Sequence, residues 1–493
     1  MMRWLILNPY KKLFLISLLV YIITAYFSIG YYHPDEHFQI LEFCNYKLGN
    51  SPAIDLPWEF HEKIRPALQP TIAFVLIKIF NALSINNPFT HALILRIFTA
   101  ILSWFVICKT ALLLVDKFSF KIGKTIFLFL SLLLGFIPFI NVRFSSETLA
   151  GITFLSAIYF VLKLQFQTAK KKQLQLIYIG LLFGFSFFFR YQIAFAILGL
   201  VLWLVIINKM RRWDLVIIAL SGIIAISMCV LIDYWFYGKF EFTPYNYFIA
   251  NIVQKRAANF GVEPWWYFFS NFIQRIPTPF GILLLLLFFI GLFKNPKDVF
   301  VWCLIPFLLA HFVIAHKEMR FLFPIVFGFT YLSALGIEHI IQILKLQKFG
   351  KFIFILIIVI NAPSLIYNML MPADKELYFY KFLYDKSPKR ETVLISRDLD
   401  FVNQWGLKSN FYNLPNIIFI EMFSDKSIMD LLSKYKPDSL YILTEKNLPE
   451  ILYKGYNNKC VYTLYPDWGL WFNLRDLERK DSKLSLQELT RIK

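Results

Sequence analysis

Two histidines and two acids follow directly after the first long apolar run, as HPDEH at residues 33–37. Proline suits the first position of a helix, and carboxylates in the first turn face the positive end of the helix dipole. If the helix continues, Asp35, Gln39 and Glu42 fall at i, i+4 and i+7 and share one face. The stretch therefore predicts a short amphipathic helix at a membrane surface that presents a carboxylate. An interfacial loop with ordinary polar residues is the alternative.

A second charged stretch, HKEMRF at residues 316–321, lies between two later apolar runs. An ionised group at the bilayer centre costs about 2.5–3.5 kcal/mol on the insertion scale, so this stretch must lie at an interface or in a wet cavity. Lys317 and Arg320 at i, i+3 could share one anion, for which a lipid phosphate is the obvious candidate. A snorkelling helix end is the structural alternative.

Four more polar residues interrupt the apolar sequence. Arg143 and Glu147 flank two serines that can cap a helix, with Glu147 in its first turn. Arg190 and Gln192 lie between two other apolar runs. Capping would also explain Glu147, and an ion pair would also explain Arg190. All four are candidate substrate-binding residues.

The segment 233–266 mixes aromatic residues, glycine and amides. Trp and Tyr in such a place most often form an interfacial belt. The alternative is an aromatic-lined groove for a sugar or lipid, with Asn246 and Trp265 as candidate contacts.

Composition sets the class of protein. Of 493 residues, 58% are hydrophobic and only 17% are charged, whereas soluble domains carry about 25% charged residues. This predicts a polytopic membrane protein. The net charge of +19 falls in short clusters between apolar runs, as in cytoplasmic loops, so nucleic-acid binding is not predicted. The five cysteines form no C-x-x-C pair, which predicts neither a zinc site nor a disulfide framework.

The apolar runs predict the membrane topology. Eleven are long enough to cross a bilayer, near residues 13–29, 92–115, 123–140, 146–164, 174–190, 191–208, 214–236, 278–293, 299–315, 321–341 and 351–370. A twelfth, near 67–84, is shorter. If that run lies along the interface, the basic loops all fall in the cytosol and the charged stretches above fall outside it. We therefore predict an all-α fold with about eleven transmembrane helices and an interfacial first extracytoplasmic loop at about 31–91.

The chain changes character after residue 371. Short β-like runs occur at 393–396, 417–421, 440–444 and 461–465, separated by helical or turn-rich stretches such as 428–435. This pattern predicts a small extracytoplasmic α/β domain at 372–493, following a transmembrane domain at 1–371.

Together these motifs resemble glycosyltransferase family 22. The shared pattern comprises HPDE at 33–36, PWE at 57–59 with IRP at 64–66, RFSSE at 143–147, Asp233 with TPYN at 243–246, and HKExRF at 316–321. The family contains mannosyltransferases that extend glycosylphosphatidylinositol anchors and lipid-linked oligosaccharides, and bacterial relatives. The resemblance implies a GT-C membrane fold, a catalytic acid in the first extracytoplasmic loop, and a polyprenyl-phosphate sugar as donor substrate without a cofactor.

The resemblance also suggests roles for the charged residues. Asp35 would be the general base for the acceptor hydroxyl, and Glu36 would orient the helix or the acceptor. His316, Lys317 and Arg320 would hold the donor phosphate and stabilise its charge as it leaves. One in-line displacement would then convert a β-linked donor into an α-linked product.

Three further residues of the first stretch complete the candidate site. His33, His37 and Gln39 are candidate substrate contacts. The adjacent acids lack the D-x-D spacing of metal-dependent transferases, so no metal is predicted. His33 and His37 could nevertheless hold a cation together with Asp35.

We therefore expect a membrane mannosyltransferase whose partners are membrane lipids, the lipid-linked donor, and a glycan or glycolipid acceptor. A bacterial cytoplasmic membrane is favoured over the endoplasmic reticulum, with the active site and C-terminal domain extracytoplasmic. A lipid or sugar-lipid transporter is the rival, because intramembrane charges also mark transport pathways, although no inverted repeat is evident. A GT-C transferase that uses another sugar or a protein acceptor is the second alternative.

Overall fold

The computed structural model describes residues 9–164, 169–276, 279–386, 392–396, 403–404, 407–412, 417–421, 439–444, 456–463 and 485–491. Two compact units emerge from the contacts within the chain. Unit 1 comprises Met1–Phe27, Glu59–Leu76 and Leu93–Leu370. Unit 2 comprises Ser28–Trp58, Ile77–Ala92 and Met371–Lys493.

Long apolar helices dominate the described part of the chain. Six of them are long and apolar enough to cross a membrane: Pro88–Lys117, Ser146–Lys163, Lys170–Phe189, Arg212–Tyr237, Met319–Ile343 and Leu346–Leu370. Phe280–Lys294 and Val299–Val313 meet at 118° and make a seventh span if they count as one. The chain is thus a multi-pass membrane protein.

The remaining helices are shorter. They include Lys11–Phe27, Leu68–Ala82, Lys121–Leu133, Ile137–Val142, Ala194–Ile206, Thr243–Phe248, Tyr267–Arg275 and Lys375–Lys386. The run predicted at 67–84 forms a helix of 15 residues, about 22 Å long, which is shorter than the roughly 30 Å hydrocarbon core.

The prediction of one continuous span at 123–140 is wrong, because the helix ends at Leu133 and a second one begins at Ile137. The backbone N–H of Gly135 donates to Asn361 Oδ1 at 2.7 Å. A Cβ at Gly135 would lie 2.5 Å from the hydroxyl of Ser364, so the break allows a close approach by the helix Gly350–Leu370.

Close approaches at small residues set the positions of the charged helix ends in unit 1. A Cβ at Gly180 would lie 2.1 Å from the carbonyl of Ile218, so the helices that end at Phe189 and Tyr237 pack backbone to backbone. A Cβ at Gly151 would lie 2.7 Å from the Cα of Pro324. The first turn of Ser146–Lys163 is thereby brought to the turn that carries Arg320.

Unit 2 contains a mixed five-stranded sheet. The seven short strands described in unit 2 are β1 Thr392–Ser396, β2 Asn403–Gln404, β3 Leu407–Lys408, β4 Ile417–Glu421, β5 Ser439–Thr444, β6 Tyr456–Thr463 and β7 Ser485–Arg491. The order is β4-β1-β5-β7-β6, with β1 parallel to β4 and β5, and β7 antiparallel to β5 and β6. β2 and β3 form a separate antiparallel pair.

The strand predictions hold in these parts of the chain. Each predicted β-like run overlaps an observed strand, since apolar β-branched segments such as Thr392–Ser396 suit a sheet interior. β7 was not predicted. The predicted helical stretch 428–435 lies outside the described residues.

Contacts rather than chain order define unit 2. The sequence predicts a division at residue 371, but residues 28–58 and 77–92 cluster with the segment that follows it. The backbone N–H groups of Ala373 and Asp374 both donate to the carbonyl of Ile29, at 2.9 and 3.0 Å. Most of the predicted first loop therefore folds with the C-terminal segment.

Candidate active site

The acidic stretch of unit 2 forms a helical segment that is not a regular α-helix. Pro34–Glu36 is α-helical, His37–Leu41 is a π-helical turn, and Glu42–Lys47 is α-helical again. A π turn closes at i+5 instead of i+4, so it adds a residue to the repeat. The prediction that Asp35, Gln39 and Glu42 share one regular face is therefore wrong.

The two adjacent acids have different surroundings. The side chain of Asp35 is 22% exposed, and its Oδ1 lies 3.5 Å from Nδ1 of His33. His33 caps the helix, because its Nδ1 accepts the backbone N–H of Asp35 at 3.2 Å. Glu36 is buried, and its Oε2 accepts the backbone N–H of Tyr32 at 3.4 Å. Asp35 is thus the more accessible of the two carboxylates.

His37 and Gln39 are both buried in unit 2. The His37 ring lies between the rings of Tyr31 and Tyr412, and its Nε2 is 2.9 Å from Glu42 Oε1. The alternative of a cation held by His33, Asp35 and His37 is not supported, because these side chains do not gather. In the described parts of the chain, no three His, Cys, Asp or Glu side chains could hold a metal ion.

Unit 1 contains a row of alternating charges that is buried at Arg190, Glu147 and Arg320 and half-buried at Glu318 and His316. Glu147 Oε1 lies 2.8 Å from Arg190 Nη1 and 3.0 Å from Arg320 Nη1. On its other side Arg320 pairs with Glu318, through Nε and through Nη2 at 3.2 Å. His316 Nε2 lies 2.8 Å from Glu318 Oε1. The structure thus brings together Glu147, Arg190, Arg320 and His316 from three separate places in the sequence.

Local structure explains how this row is held. Ser145 caps the helix Ser146–Lys163 by accepting the backbone N–H of Thr148 at 3.2 Å, as the serines predict. This places Glu147 in the first turn, where the helix dipole favours a carboxylate. The guanidinium groups of Arg190 and Arg320 lie 4.9 and 5.4 Å from the centre of the Phe321 ring. An aromatic face of this kind favours cations.

Lys317 does not share the environment of Arg320. Residues 317 and 318 are not helical, so the predicted i, i+3 helical pairing of Lys317 with Arg320 is wrong. The Lys317 ammonium donates to the backbone carbonyls of Glu263 and Ile314, at 2.8 and 2.5 Å. Burial lowers the pKa of Lys317, because removal from water disfavours its charged form.

The pKa of His316 shifts in the opposite direction from that of Lys317. The hydrogen bond to Glu318 raises the pKa of His316 above its usual value, and partial burial opposes this effect. His316 Nδ1 also lies 3.2 Å from the carbonyl of Gly261. The imidazole is therefore held at both ring nitrogens.

The other candidate residues have varied surroundings. Arg143 is buried, with its guanidinium 5.8 Å from the centre of the Phe139 ring. Gln192 donates to the hydroxyl of Tyr247 at 2.6 Å.

Asn246 and Trp265 lie in the aromatic segment. Asn246 donates to the carbonyl of Lys63 and to Glu241 Oε2, at 3.2 and 3.0 Å. Trp265 is exposed and packs edge-on against Trp266. The structure gives Asn246 a bracing role within unit 1 and leaves the Trp265 face accessible.

Two acids with structural prominence were not assigned from the sequence. Glu318 belongs to the HKEMRF motif, but only its neighbours were selected. Asp233 is fully buried, and its oxygens accept the backbone N–H of Ala67 and the hydroxyl of Thr243, both at 2.7 Å. Tyr191 in turn donates to the Thr243 hydroxyl at 2.7 Å. An acid near the end of an apolar run was the signal available for Asp233.

The fold and this cluster define a multi-pass helical membrane protein with charged side chains buried among its helices. The chain belongs to the Alg9-like mannosyltransferase family, whose model matches residues 12–405. This confirms the resemblance to glycosyltransferase family 22.

Individual relatives are distant in sequence. The chain is 25% identical over 327 residues to GPI alpha-1,2-mannosyltransferase 3 of Bos taurus, covering 65% of this chain and 57% of the relative. It is 26% identical over 341 residues to GPI mannosyltransferase 3 of Yarrowia lipolytica, covering 65% of this chain and 61% of the relative. The match thus spans less than two thirds of the length of these relatives.

A solved structure shares the fold. The crystal structure of ArnT from Cupriavidus metallidurans, bound to undecaprenyl phosphate, superposes with a TM-score of 0.55. The superposition covers 98% of each chain at 10% sequence identity. At that identity the likeness concerns the fold alone, and it agrees with the GT-C fold expected of the family.

Proposed function

We propose that this protein transfers mannose from a polyprenyl-phosphate donor to a lipid-linked or glycan acceptor, by one inverting displacement. The names of its family and of both relatives support mannose as the sugar and glycosyl transfer as the reaction. The ligand named with the ArnT structure supports a polyprenyl phosphate. The observation that carries the proposal is the charge of Lys317.

Lys317 is buried, and its ammonium contacts only backbone carbonyls within the described chain. Removing an ammonium from water is costly, and a ligand anion would offset this cost together with the electrostatic attraction of Glu263. Three residues away, Arg320 belongs to a row in which two arginines are balanced by two glutamates. Arg190 Nε is a buried donor without a partner among the described residues. An anion such as a lipid phosphate would match these unused groups.

The departure of the leaving group needs little help from the protein. A prenyl phosphate departs as a stable anion, so Lys317 and Arg320 have to stabilise charge rather than donate a proton. The C1–O bond to phosphate breaks, and the phosphate keeps the electron pair. A new bond forms between C1 and the acceptor oxygen on the opposite face of the sugar. The transition state resembles an oxocarbenium ion, as in glycoside hydrolysis.

The acceptor hydroxyl has to lose its proton as it attacks. Asp35 is the proposed base, because it is the more accessible of the two adjacent acids and can therefore reach an acceptor hydroxyl. Glu36, which accepts the backbone N–H of Tyr32, is proposed to hold the start of the helix. One carboxylate suffices for a single displacement.

The finer topology belongs to the same proposal. About eleven crossings, with the 33–37 stretch, the 316–321 stretch and an α/β C-terminal domain outside the cytosol, would place the basic loops inside. The two named relatives come from a mammal and a yeast, so the preference for a bacterial cytoplasmic membrane remains a prediction from the sequence.

The proposal is tested with purified protein, labelled polyprenyl-phosphate mannose and a lipid extract. We expect label to move from the donor to a second lipid or glycan. The Lys317→Gln variant should need a higher donor concentration, since it lacks the positive charge that would attract the donor phosphate. Transfer of glucose but not mannose would point to another sugar. Movement of intact donor across a vesicle membrane, with no transfer of label, would make the protein a transporter.

A further inference from the structure

The helical segment that carries Asp35 is held at its upstream end by the C-terminal segment of the same unit. The carbonyl of Ile29 accepts the backbone N–H groups of Ala373 and Asp374, at 2.9 and 3.0 Å. Gly30 follows with a φ of +86°, and a Cβ there would lie 2.3 Å from the Cβ of Asp374. Only glycine fits both this conformation and this approach, so the contact is built into the chain.

The downstream end is held through Glu42, which is only 1% exposed. Its Oε1 accepts the backbone N–H of Phe411 at 2.8 Å, and its Oε2 accepts the hydroxyl of Ser51 at 3.2 Å. Oε1 also lies 2.9 Å from Nε2 of His37, off the direction of a hydrogen bond. A buried carboxylate thus joins the helical segment to residue 411.

Aromatic stacking reinforces the same junction. The His37 ring lies between Tyr31, at a centroid distance of 5.4 Å, and Tyr412, at 5.5 Å and nearly parallel. Phe89 also packs against Tyr412, with the two tilted rings 4.6 Å apart between centroids. Aromatic pairs contribute about 0.5–1.5 kcal/mol each beyond the area that they bury. Asp35 therefore lies between two anchored points.

We propose that Glu42 is a positioning residue for Asp35, and that the C-terminal residues Phe411 and Tyr412 act with it as a clamp. This inference rests on the proposed function, in which Asp35 is the base. Functional side chains must be held within about 0.5 Å, and a displacement of about 1 Å can cost 10²-fold in rate. Because the π turn connects Asp35 to Glu42, a shift of Glu42 would also move Asp35. The clamp gives the C-terminal segment a role in catalysis.

The test substitutes Glu42→Gln, which keeps the shape of the side chain but turns one acceptor oxygen into an NH2 group that faces other donors. We expect kcat to fall about 10- to 100-fold, with the donor KM unchanged, because the substrate is bound but the base is displaced. Backbone hydrogen exchange should become faster in residues 34–47 and in 409–412 together. That second readout does not depend on activity.

A matched control comes from unit 1. Glu338 is also a buried glutamate, and its Oε1 accepts the backbone N–H groups of Ser119 and Phe120, at 2.8 and 3.0 Å. Glu338→Gln should leave hydrogen exchange in residues 34–47 unchanged. If Glu42→Gln does not fold, Tyr412→Ala makes the same test, and Tyr412→Phe should restore the wild-type values because it keeps the stacked ring.

Two results would overturn the positioning role. One is wild-type exchange in residues 34–47 of the Glu42→Gln variant, since the junction would then not depend on the carboxylate. The other is faster exchange with turnover within twofold of wild type, which would make the contact purely structural. A wild-type protein that transfers no sugar would instead overturn the proposed function, while the exchange data would still measure the clamp.

Discussion

The carboxylates of the two units are used in different ways. In unit 1, Glu147 is 2% exposed and has an arginine on each side. In unit 2, the Asp35 side chain retains 22% exposure, and its Oδ1 lies 3.5 Å from Nδ1 of His33. Two guanidinium groups engage the Glu147 carboxylate, whereas an accessible carboxylate can contact a substrate hydroxyl. This difference in surroundings is what the proposed function uses, with charge placement in unit 1 and proton transfer at Asp35 in unit 2.

The largest effect is expected from removing the proposed base. Asp35→Asn is nearly isosteric and should fold, while turnover should fall by about 10²–10⁴-fold, the usual contribution of general-base catalysis. The measurement is the initial rate of mannose transfer in detergent at saturating donor and acceptor. Glu36→Gln, at the buried neighbour, is the control and should lose less. Near wild-type turnover of Asp35→Asn would place the base elsewhere.

The next largest effect is expected at Arg320 in unit 1, where the planar shape of the guanidinium group matters. Arg320 uses its planar fork to contact both Glu147 and Glu318, which a lysine cannot reproduce. Arg320→Lys should therefore lower turnover by about 10²–10³-fold although the charge is kept. Varying the donor at saturating acceptor separates turnover from donor KM. Unchanged values for Arg320→Ala would reduce this row of charges to a structural anchor.

A smaller effect is expected for the buried acid that braces unit 1. Asp233→Asn places an NH2 group among donors from Ala67 and Thr243, which should destabilise the fold by about 1–3 kcal/mol. The apparent Tm in detergent is the measurement. Asp116→Asn is the control, because Asp116 is an exposed acid paired with Lys124 and should change Tm little. Equal Tm values for the two variants would contradict the bracing role.

The smallest effect depends on pH. Glu318 raises the pKa of His316 above about 6.5, so the pair stabilises the fold fully below that pH and loses its contribution as pH rises through the raised pKa. His316→Gln lacks this contribution. The apparent Tm of the variant should therefore fall below that of wild type at pH 6 and approach it at pH 9. A gap that widens toward pH 9 would contradict the ion pair.

Sequence reasoning identified local features best. The apolar runs gave the helices, the serine cap placed Glu147 in a first turn, and β-branched runs gave strands such as Thr392–Ser396. The π turn at His37–Leu41 escaped prediction, because no residue type signals an added residue in a helix.

Long-range partners could not be read from spacing. Glu147 meets Arg320 across 173 positions, and Glu42 meets Phe411 across 369. Helical spacing predicted that Lys317 pairs with Arg320, but residues 317 and 318 are not helical. Tertiary packing, through close approaches such as Gly151 against Pro324, decides which charges meet.

The central claim is a single displacement with one base, and the configuration of the product tests it most directly. Purified wild-type protein would be given a β-linked polyprenyl-phosphate mannose, and the anomeric configuration of the new linkage would be determined by NMR or by α-mannosidase digestion. We expect an α-linked product that α-mannosidase removes completely. A β-linked product would require two displacements and a covalent intermediate, which contradicts the role assigned to Asp35.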